Sequence, residues 1–336
     1  MCGGPDREGS GRATRIWLVL QLGVPVAGQA LERDIGVETG EPTITRRPRG
    51  AGTVEDADYA FRRGRGEYDR LIDQAEIFGP LTERMLRRAG IGAGMHVLDV
   101  GCGAGDVSFL VSALVGAEGS VTGVDVDGGA IGVAEHRRAA HGIANVSFRQ
   151  ADARYLDPGR LFDAAVGRFV LMFMPDPTEA LRSFAERIRP GGILAFCEQA
   201  ASATATSDHD QPALTALLAL FTSVFERSGA RPDIGAELYS RMRDAGLRPD
   251  PRPLAEFVLY PARDALSYRR WALFARSMLP KIVEYGLGTE EEIRHRVEHD
   301  LRKELLAATG LVPLSWLMIG QWARVPEGRY RSSRLT

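Results

Sequence analysis

Two acids and three alternate glycines carry the chemistry that is most legible in this chain. Residues 97–105 read VLDVGCGAG, with Asp99 ahead of Gly101, Gly103 and Gly105, and Asp125 follows in VTGVDVD. Glycine accepts positive φ and lets backbone approach a ligand closely, while the free N–H groups at the start of the next helix face that ligand. A carboxylate at the end of the following strand can take both hydroxyls of a ribose. The combination therefore reads as a site for a nucleoside cofactor. The elements needed to position it are a buried parallel strand over Val97 to Val100, a helix over about Asp106 to Val115, and a second strand from Ser120 to Val124 that delivers Asp125.

Dinucleotide sites use G-x-G-x-x-G, whereas this run is G-x-G-x-G, a pattern weak by itself. Further motifs follow in order: ADA with Asp152 and Ala153 after a third strand at about Val146 to Gln150, FDAAVGRFVLMFMPDP from Phe162 to Pro177, and IRPGGILAFCE from Ile188 to Glu198. With these the sequence resembles the class I S-adenosylmethionine-dependent methyltransferases, most of all the ubiquinone/menaquinone-biosynthesis-type branch, over about Tyr59 to Val325. The resemblance implies S-adenosylmethionine as cofactor. It places the methionine end over Gly101 to Gly105 near Asp99, with Arg168 facing it, the ribose on Asp125, and the adenine beside Val126, Asp152 and Ala153. It also makes Tyr59, Arg70 and Gln74 candidate contacts to the cofactor's carboxylate and ammonium, against the plainer reading of solvated or capping polar side chains. The competing reading of an acid at a strand end is an ordinary helix cap.

The βα rhythm continues through a helix at Gly129 to Ala140, strands at Ala164 to Arg168 and Gly192 to Phe196, and a helix from Pro177 to Ile188 between them. The expected fold is α/β, a seven-stranded, mostly parallel, doubly wound, Rossmann-like sheet with N-terminal helices and a helical lid. Residues 1–54 read as a disordered extension and 55–336 as the methyltransferase domain. Within it, 55–90 supply two cover helices broken at Gly79-Pro80, 91–200 the cofactor core, and 201–250 a helical segment (Pro212 to Ser228, Ile234 to Ala245). A hairpin of strands six (Ala255 to Tyr260) and seven (Trp316 to Ala323) then encloses a lid at 262–310. The stripe Tyr68, Leu71, Ile72 and Ala75 belongs to the first cover helix. Tyr268, Trp271, Ala272, Phe274, Ala275 and Met278 belong to the lid, where they are either core or the lining of an apolar acceptor pocket.

Composition narrows the function further. A net charge of -2 over 336 residues gives no basic field for nucleic acid, so the expected partner is a small-molecule acceptor. A homodimer remains open. The three cysteines, Cys2, Cys102 and Cys197, form neither a disulfide framework nor a four-ligand zinc site, and no metal is expected. A thiolate pair at Cys102 and Cys197 is weighed against packed, apolar cysteines, and packing is preferred. The run Ile16 to Ala27 resembles a signal peptide but contains Pro25 and is too short to span a membrane. A cytoplasmic protein without a membrane span is expected.

The methyl of a sulfonium cofactor is already activated, so alignment of an acceptor supplies most of the acceleration. A base is needed only where the nucleophile must lose a proton. Glu198 and His209 are the candidate catalytic residues, with His295 and His299 as further candidates in the lid. The expected reaction is methyl transfer to O, N or C of an apolar metabolite in secondary metabolism. The alternatives are a methylation-coupled cyclase and a non-methylating, cofactor-binding protein.

Overall fold

The computed structural model describes residues 61, 64–157, 159–203 and 210–327. The expected extension 1–54, together with Tyr59 and His209, lies outside them.

Five parallel strands form one side of the sheet: β1 (His96–Val100), β2 (Ser120–Asp125), β3 (Val146–Gln150), β4 (Phe162–Arg168) and β5 (Ile188–Ala200). Their order is β3-β2-β1-β4-β5, and β10 (Leu317–Arg324) continues it antiparallel to β5. Two short strands, β6 (Arg248–Pro249) and β7 (Leu254–Glu256), both pair with β10. Since β5 occupies one edge of β10 along its whole length, β6 and β7 share the other. The eight strands thus fill seven positions across the sheet. The expected sixth strand at Ala255 to Tyr260 is split, because the chain changes partner: β7 ends on β10, and β8 (Leu259–Pro261) pairs instead with β9 (Leu311–Pro313).

Strand alternation sends side chains to two apolar clusters, one on each face. Leu98, Val100, Leu194 and Phe196 point to one, and Val97, Val166, Ala195 and Cys197 to the other. The second face is covered by α1 (Arg65–Ala89) and α2 (Asp106–Val115). The first is covered by α4 (Pro177–Ala185) and α6 (Ile234–Asp244); α5 (Pro212–Arg227) and α7 (Ala265–Glu284) pack on each other and extend the same apolar cluster, while α3 (Gly128–Ala140) flanks β2 and β3.

The helix break expected at Gly79-Pro80 does not occur, and a second proline is likewise helical. Pro80 lies inside α1 and Pro280 inside α7. Each is on an exposed face, so the carbonyl four residues earlier, on exposed Glu76 or Arg276, is left open to water. An interior proline costs about 3 kcal/mol or more. Burial of Ile77, Phe78, Leu81 and Met85 on one helix, and of Trp271, Phe274, Met278 and Ile282 on the other, offsets it. The expected lid is helical, continuing through α8 (Glu290–His295), a π-helical turn (Arg296–Leu301) and α9 (Arg302–Ala307). Its first helix is part of the core: Trp271 stacks on Phe221 and meets Trp316 edge-on.

Candidate active site

A crevice enclosing about 1160 Å³, its open mouth included, lies at the carboxyl ends of β1, β2, β4 and β5 under α1 and α7. Crevices at this end of a doubly wound sheet are where ligands bind.

The glycine loop forms its floor. Gly101, Gly103 and Gly105 have φ of 63°, 52° and 90°, the left-handed region that a side chain rarely adopts. A Cβ on Gly101 would meet the Val170 methyl at 2.6 Å, and one on Gly105 would meet the rings of Phe109 and Phe148 at 2.9 Å. The loop is tied down by Cys102 N–H donating to Val124 O, and by Arg137, which donates to Ala104 O and pairs with Asp106 at 2.8 Å. Arg137, a full helix away in sequence, carries no local signal for this bracing role.

Asp125 ends β2 and lines the crevice beside Gly101 and Gly103. Its two oxygens accept from Gly103 N–H and Asp127 N–H, each at 2.9 Å. One carboxylate therefore holds the glycine loop against the start of the next helix. Val126, 55% exposed, and Ala153 add apolar wall. Asp152 also lines the crevice, and it caps the short helix that follows: it accepts from Arg154 N–H at 2.9 Å and pairs with the Arg154 guanidinium at 2.7 Å. The helix-cap reading of this acid is thus realised.

Asp99 and Gly105 lie beneath the crevice rather than along it. Asp99 is buried; one oxygen accepts from Ser108 Oγ at 2.6 Å and the other has no partner. Burial pushes its carboxyl up to about 7, against the lowering effect of the Ser108 hydrogen bond. Arg168 lines the crevice at the end of β4, donating to Thr82 Oγ1 at 3.1 Å, and burial lowers its pKa against the pull of Asp106.

Glu198, expected at the mouth as a base, does not line the crevice. It is fully buried on the opposite face of β5, and its Oε1 accepts from the N–H groups of Val170 and Leu171 at 2.8 and 2.9 Å. Phe169, with φ of 57°, is the one non-glycine at positive φ among the described residues. Such a conformation is costly and clusters at functional sites. Its left-handed turn carries the next two N–H groups to Glu198, and the segment so held presents Phe169, Val170, Met172, Phe173 and Met174 to the crevice. Burial pushes the Glu198 carboxyl up to about 7, opposed by those backbone donors. His295 and His299 are exposed on the far helices, outside the crevice, with rings stacked at 4.7 Å.

The cover comes from α1 and α7. Tyr68 donates to the Asp127 carboxylate at 3.2 Å, joining α1 to the loop after β2. Arg70 and Gln74 line the crevice as expected, and they are already engaged: Arg70 pairs with Glu67 at 2.6 Å, donates to Gln74 Oε1 and lies 4.1 Å over the Phe61 ring. Of the aromatic stripe on α7 only Phe274 reaches the crevice; Trp271 and Met278 are core. Phe61, Phe225 and Arg270 complete the wall. No spacing pattern pointed to these three, since each is brought in by long-range packing.

Cys102 and Cys197 are buried, and burial raises both thiols, Cys197 to about 12. Both stay protonated at neutral pH, in keeping with packing rather than thiolate chemistry.

The donor set fits S-adenosylmethionine: a floor where Gly101 and Gly103 expose backbone, an acid at the adjoining strand end, and apolar wall beside it.

Residues 91–237 match a family model described as a methyltransferase domain. The aklanonic acid methyltransferase of Streptomyces sp. (strain C5) is 35% identical over 138 residues, 41% of this chain and 62% of that protein. The ubiquinone/menaquinone biosynthesis C-methyltransferase of Cellvibrio japonicus (strain Ueda107) is 36% identical over 115 residues, 34% of this chain and 46% of that protein. The chain thus spans about half to three-fifths of the length of these relatives. A solved S-adenosylmethionine-dependent methyltransferase from Aquifex aeolicus is 17% identical at a TM-score of 0.46, covering 78% of this chain and 100% of that one. Among the described residues no helix is long and apolar enough to cross a membrane.

Proposed function

We propose that the chain, whose residues 91–237 match a methyltransferase-domain model, is a class I S-adenosylmethionine-dependent methyltransferase that transfers the cofactor's methyl group to an oxygen, nitrogen or carbon of an apolar small molecule in secondary metabolism. The observation that carries this reading is the continuity of one crevice, from the glycine loop and Asp125 to a wall of Phe61, Met172, Phe173, Phe225 and Phe274. Polar backbone at one end and apolar side chains at the other suit a cofactor and an apolar acceptor laid end to end. The relative named for aklanonic acid supports methyl transfer as the reaction.

A bound cofactor would supply an activated methyl on a sulfonium. The chain's own residues then have two tasks, to hold and to align. Gly101, Gly103, Asp125, Val126, Asp152, Ala153 and Arg168 contact the cofactor in this reading, while Asp99 and Gly105 support the loop from beneath. Glu198 is a positioning residue: it fixes the 169–174 segment against which the acceptor packs, and removes no proton. Exclusion of water by the α1 and α7 cover keeps the reacting groups in register.

The test is transfer of a labelled methyl group from S-adenosylmethionine to a panel of aromatic acids, phenols and amines. Labelled product, with loss of label transfer in Asp125→Ala, is expected. Acceptor conversion with intact cofactor would favour a cyclase or a non-methylating role, and we expect no such conversion.

A further inference from the structure

Among the described residues, two buried side-chain nitrogens that line the crevice have no hydrogen-bond partner. Arg270, on α7, is 3% exposed; its Nε donates to Leu314 O at 3.2 Å, but its Nη1 is buried without a hydrogen bond. Gln199, near the end of β5, is also 3% exposed, and its Nε2 is likewise buried and unpartnered. Both residues line the crevice. Strand alternation places Gln199 on the side of Ala195 and Cys197, the side covered by α1, and the Arg270 guanidinium sits 5.6 Å from the ring of Phe78 on that same helix.

Arg270 also makes no salt bridge among the described residues, although the Asp73 and Glu67 carboxylates act on it from a distance. Its neighbour Arg70 is neutralised by Glu67, which in turn accepts from Ser277. No carboxylate among the described residues pairs with Arg270, which instead lies over Phe274 at 4.8 Å and Trp271 at 5.3 Å. Ring faces offset part of the cost of burying a cation, yet an orphan N–H and a charge buried without an ion pair both remain costly. Two such donors in one crevice ask for an oxygen ligand that bears negative charge.

Resting on the methyl-transfer reading above, we infer that Arg270 and Gln199 anchor a carboxylate on the acceptor. Arg270 pairs with the charge and Gln199 donates to the carboxylate, while the Phe225 and Phe274 wall holds the apolar body. The acceptor class is thus an apolar, ring-bearing acid. A carboxylate could also come from the cofactor's methionine end, but the sheet separates the two positions. Strands lie about 4.8 Å apart, and Gln199 is on β5, beyond β4 and away from the glycine loop on β1. The cation nearer that loop is Arg168, which ends β4 with a single hydroxyl partner among the described residues.

The experiment is calorimetric titration of the full chain, saturated with S-adenosylhomocysteine, with 2-naphthoate and its uncharged counterpart 2-naphthamide. Wild type is expected to bind the acid at least tenfold more tightly than the amide. Arg270→Met should abolish that preference and Gln199→Leu should reduce it several-fold, with S-adenosylhomocysteine affinity within twofold of wild type in both. Because the methionine variant removes a charge buried without an ion pair, its Tm should hold or rise; a fall in Tm with the acid preference intact would mean a structural cation and overturn the inference. Should Arg270→Met fail to fold, Gln199→Leu and Arg270→Lys carry the same comparison. Equal binding of the two probes, or binding of neither while S-adenosylhomocysteine binds, contradicts the inference. A variant that loses S-adenosylhomocysteine but keeps 5′-methylthioadenosine, which has no carboxylate, would assign Arg270 to the cofactor instead. Failure of wild type to bind S-adenosylhomocysteine is a different result, and it would remove the underlying reading.

Discussion

The two ends of the crevice are built by different means. At the β1–β3 end, the wall is mainly backbone and carboxylates: Gly101 and Gly103 at positive φ, Asp125 bridging two N–H groups across 2.9 Å each, and Asp127 and Asp152 beside it. At the β5 end it is side chains from five separate segments, Phe61, Arg70 on α1, Phe173, Phe225 on α5, and Arg270 with Phe274 on α7. Backbone geometry needs a short, local sequence to specify it, whereas a side-chain wall can be assembled from anywhere in the chain. The first end can therefore stay fixed while the second changes its ligand.

The largest effect should come from the first end. Gly105→Val forces a branched side chain into left-handed backbone with a Cβ 2.9 Å from two buried rings. Overpacking costs about 1–3 kcal/mol and strained backbone about 1–3 more, so urea denaturation should show several kcal/mol of lost stability. A near-wild-type midpoint would mean that the loop is not locked as described.

At the second end, Phe274→Ala removes a ring that packs on Phe61, Phe221 and Trp316 as well as facing the crevice. It should cost about 3 kcal/mol of stability and weaken acceptor binding. Its effect on S-adenosylhomocysteine affinity should be under threefold. Equal losses for both ligands would erase the distinction between the ends.

The next expectation concerns pH. Burial raises both Asp99 and Glu198 to about 7 in the folded state. A carboxyl raised on folding contributes stability that is fully present below its unfolded pKa, near 4, and is lost as pH rises through 7. Each group can add a slope of at most about 1.4 kcal/mol per pH unit in that window. Stability should accordingly fall from pH 5 to pH 8, and Glu198→Gln should flatten the fall. The variant should also retain acceptor affinity within a few-fold, because a Gln oxygen can accept from Val170 and Leu171. A pH profile unchanged by the substitution would show that Glu198 is not the buried acid responsible.

The smallest effect is expected for Tyr68→Phe. It removes one half-buried hydrogen bond to Asp127, worth about 1 kcal/mol or less, and should raise the S-adenosylhomocysteine dissociation rate by a few-fold without changing the acceptor preference.

This contrast also explains what could be read from the sequence. The order of β1 to β5, the helix starting at Asp106 and the role of glycine at 101, 103 and 105 follow from local pattern, and the structure has them where the pattern placed them. Local rules misjudged Gly79-Pro80, because only the folded chain shows that this proline faces water. Glu198 sits at a strand end, as the pattern required, but pattern could not say that its side chain turns to the buried face. Arg270 was hidden within an aromatic stripe, where only the α1 packing reveals a cation without an ion pair. Phe169 at positive φ had no signature at all.

The central claim is that the crevice floor holds S-adenosylmethionine through Asp125 and the glycine loop, and calorimetry with S-adenosylmethionine and S-adenosylhomocysteine on wild type and Asp125→Ala tests it most directly. Micromolar binding by wild type, reduced at least a hundredfold in a variant that remains folded, is the result predicted. Equal affinity in the two proteins, or no binding by wild type, would contradict it.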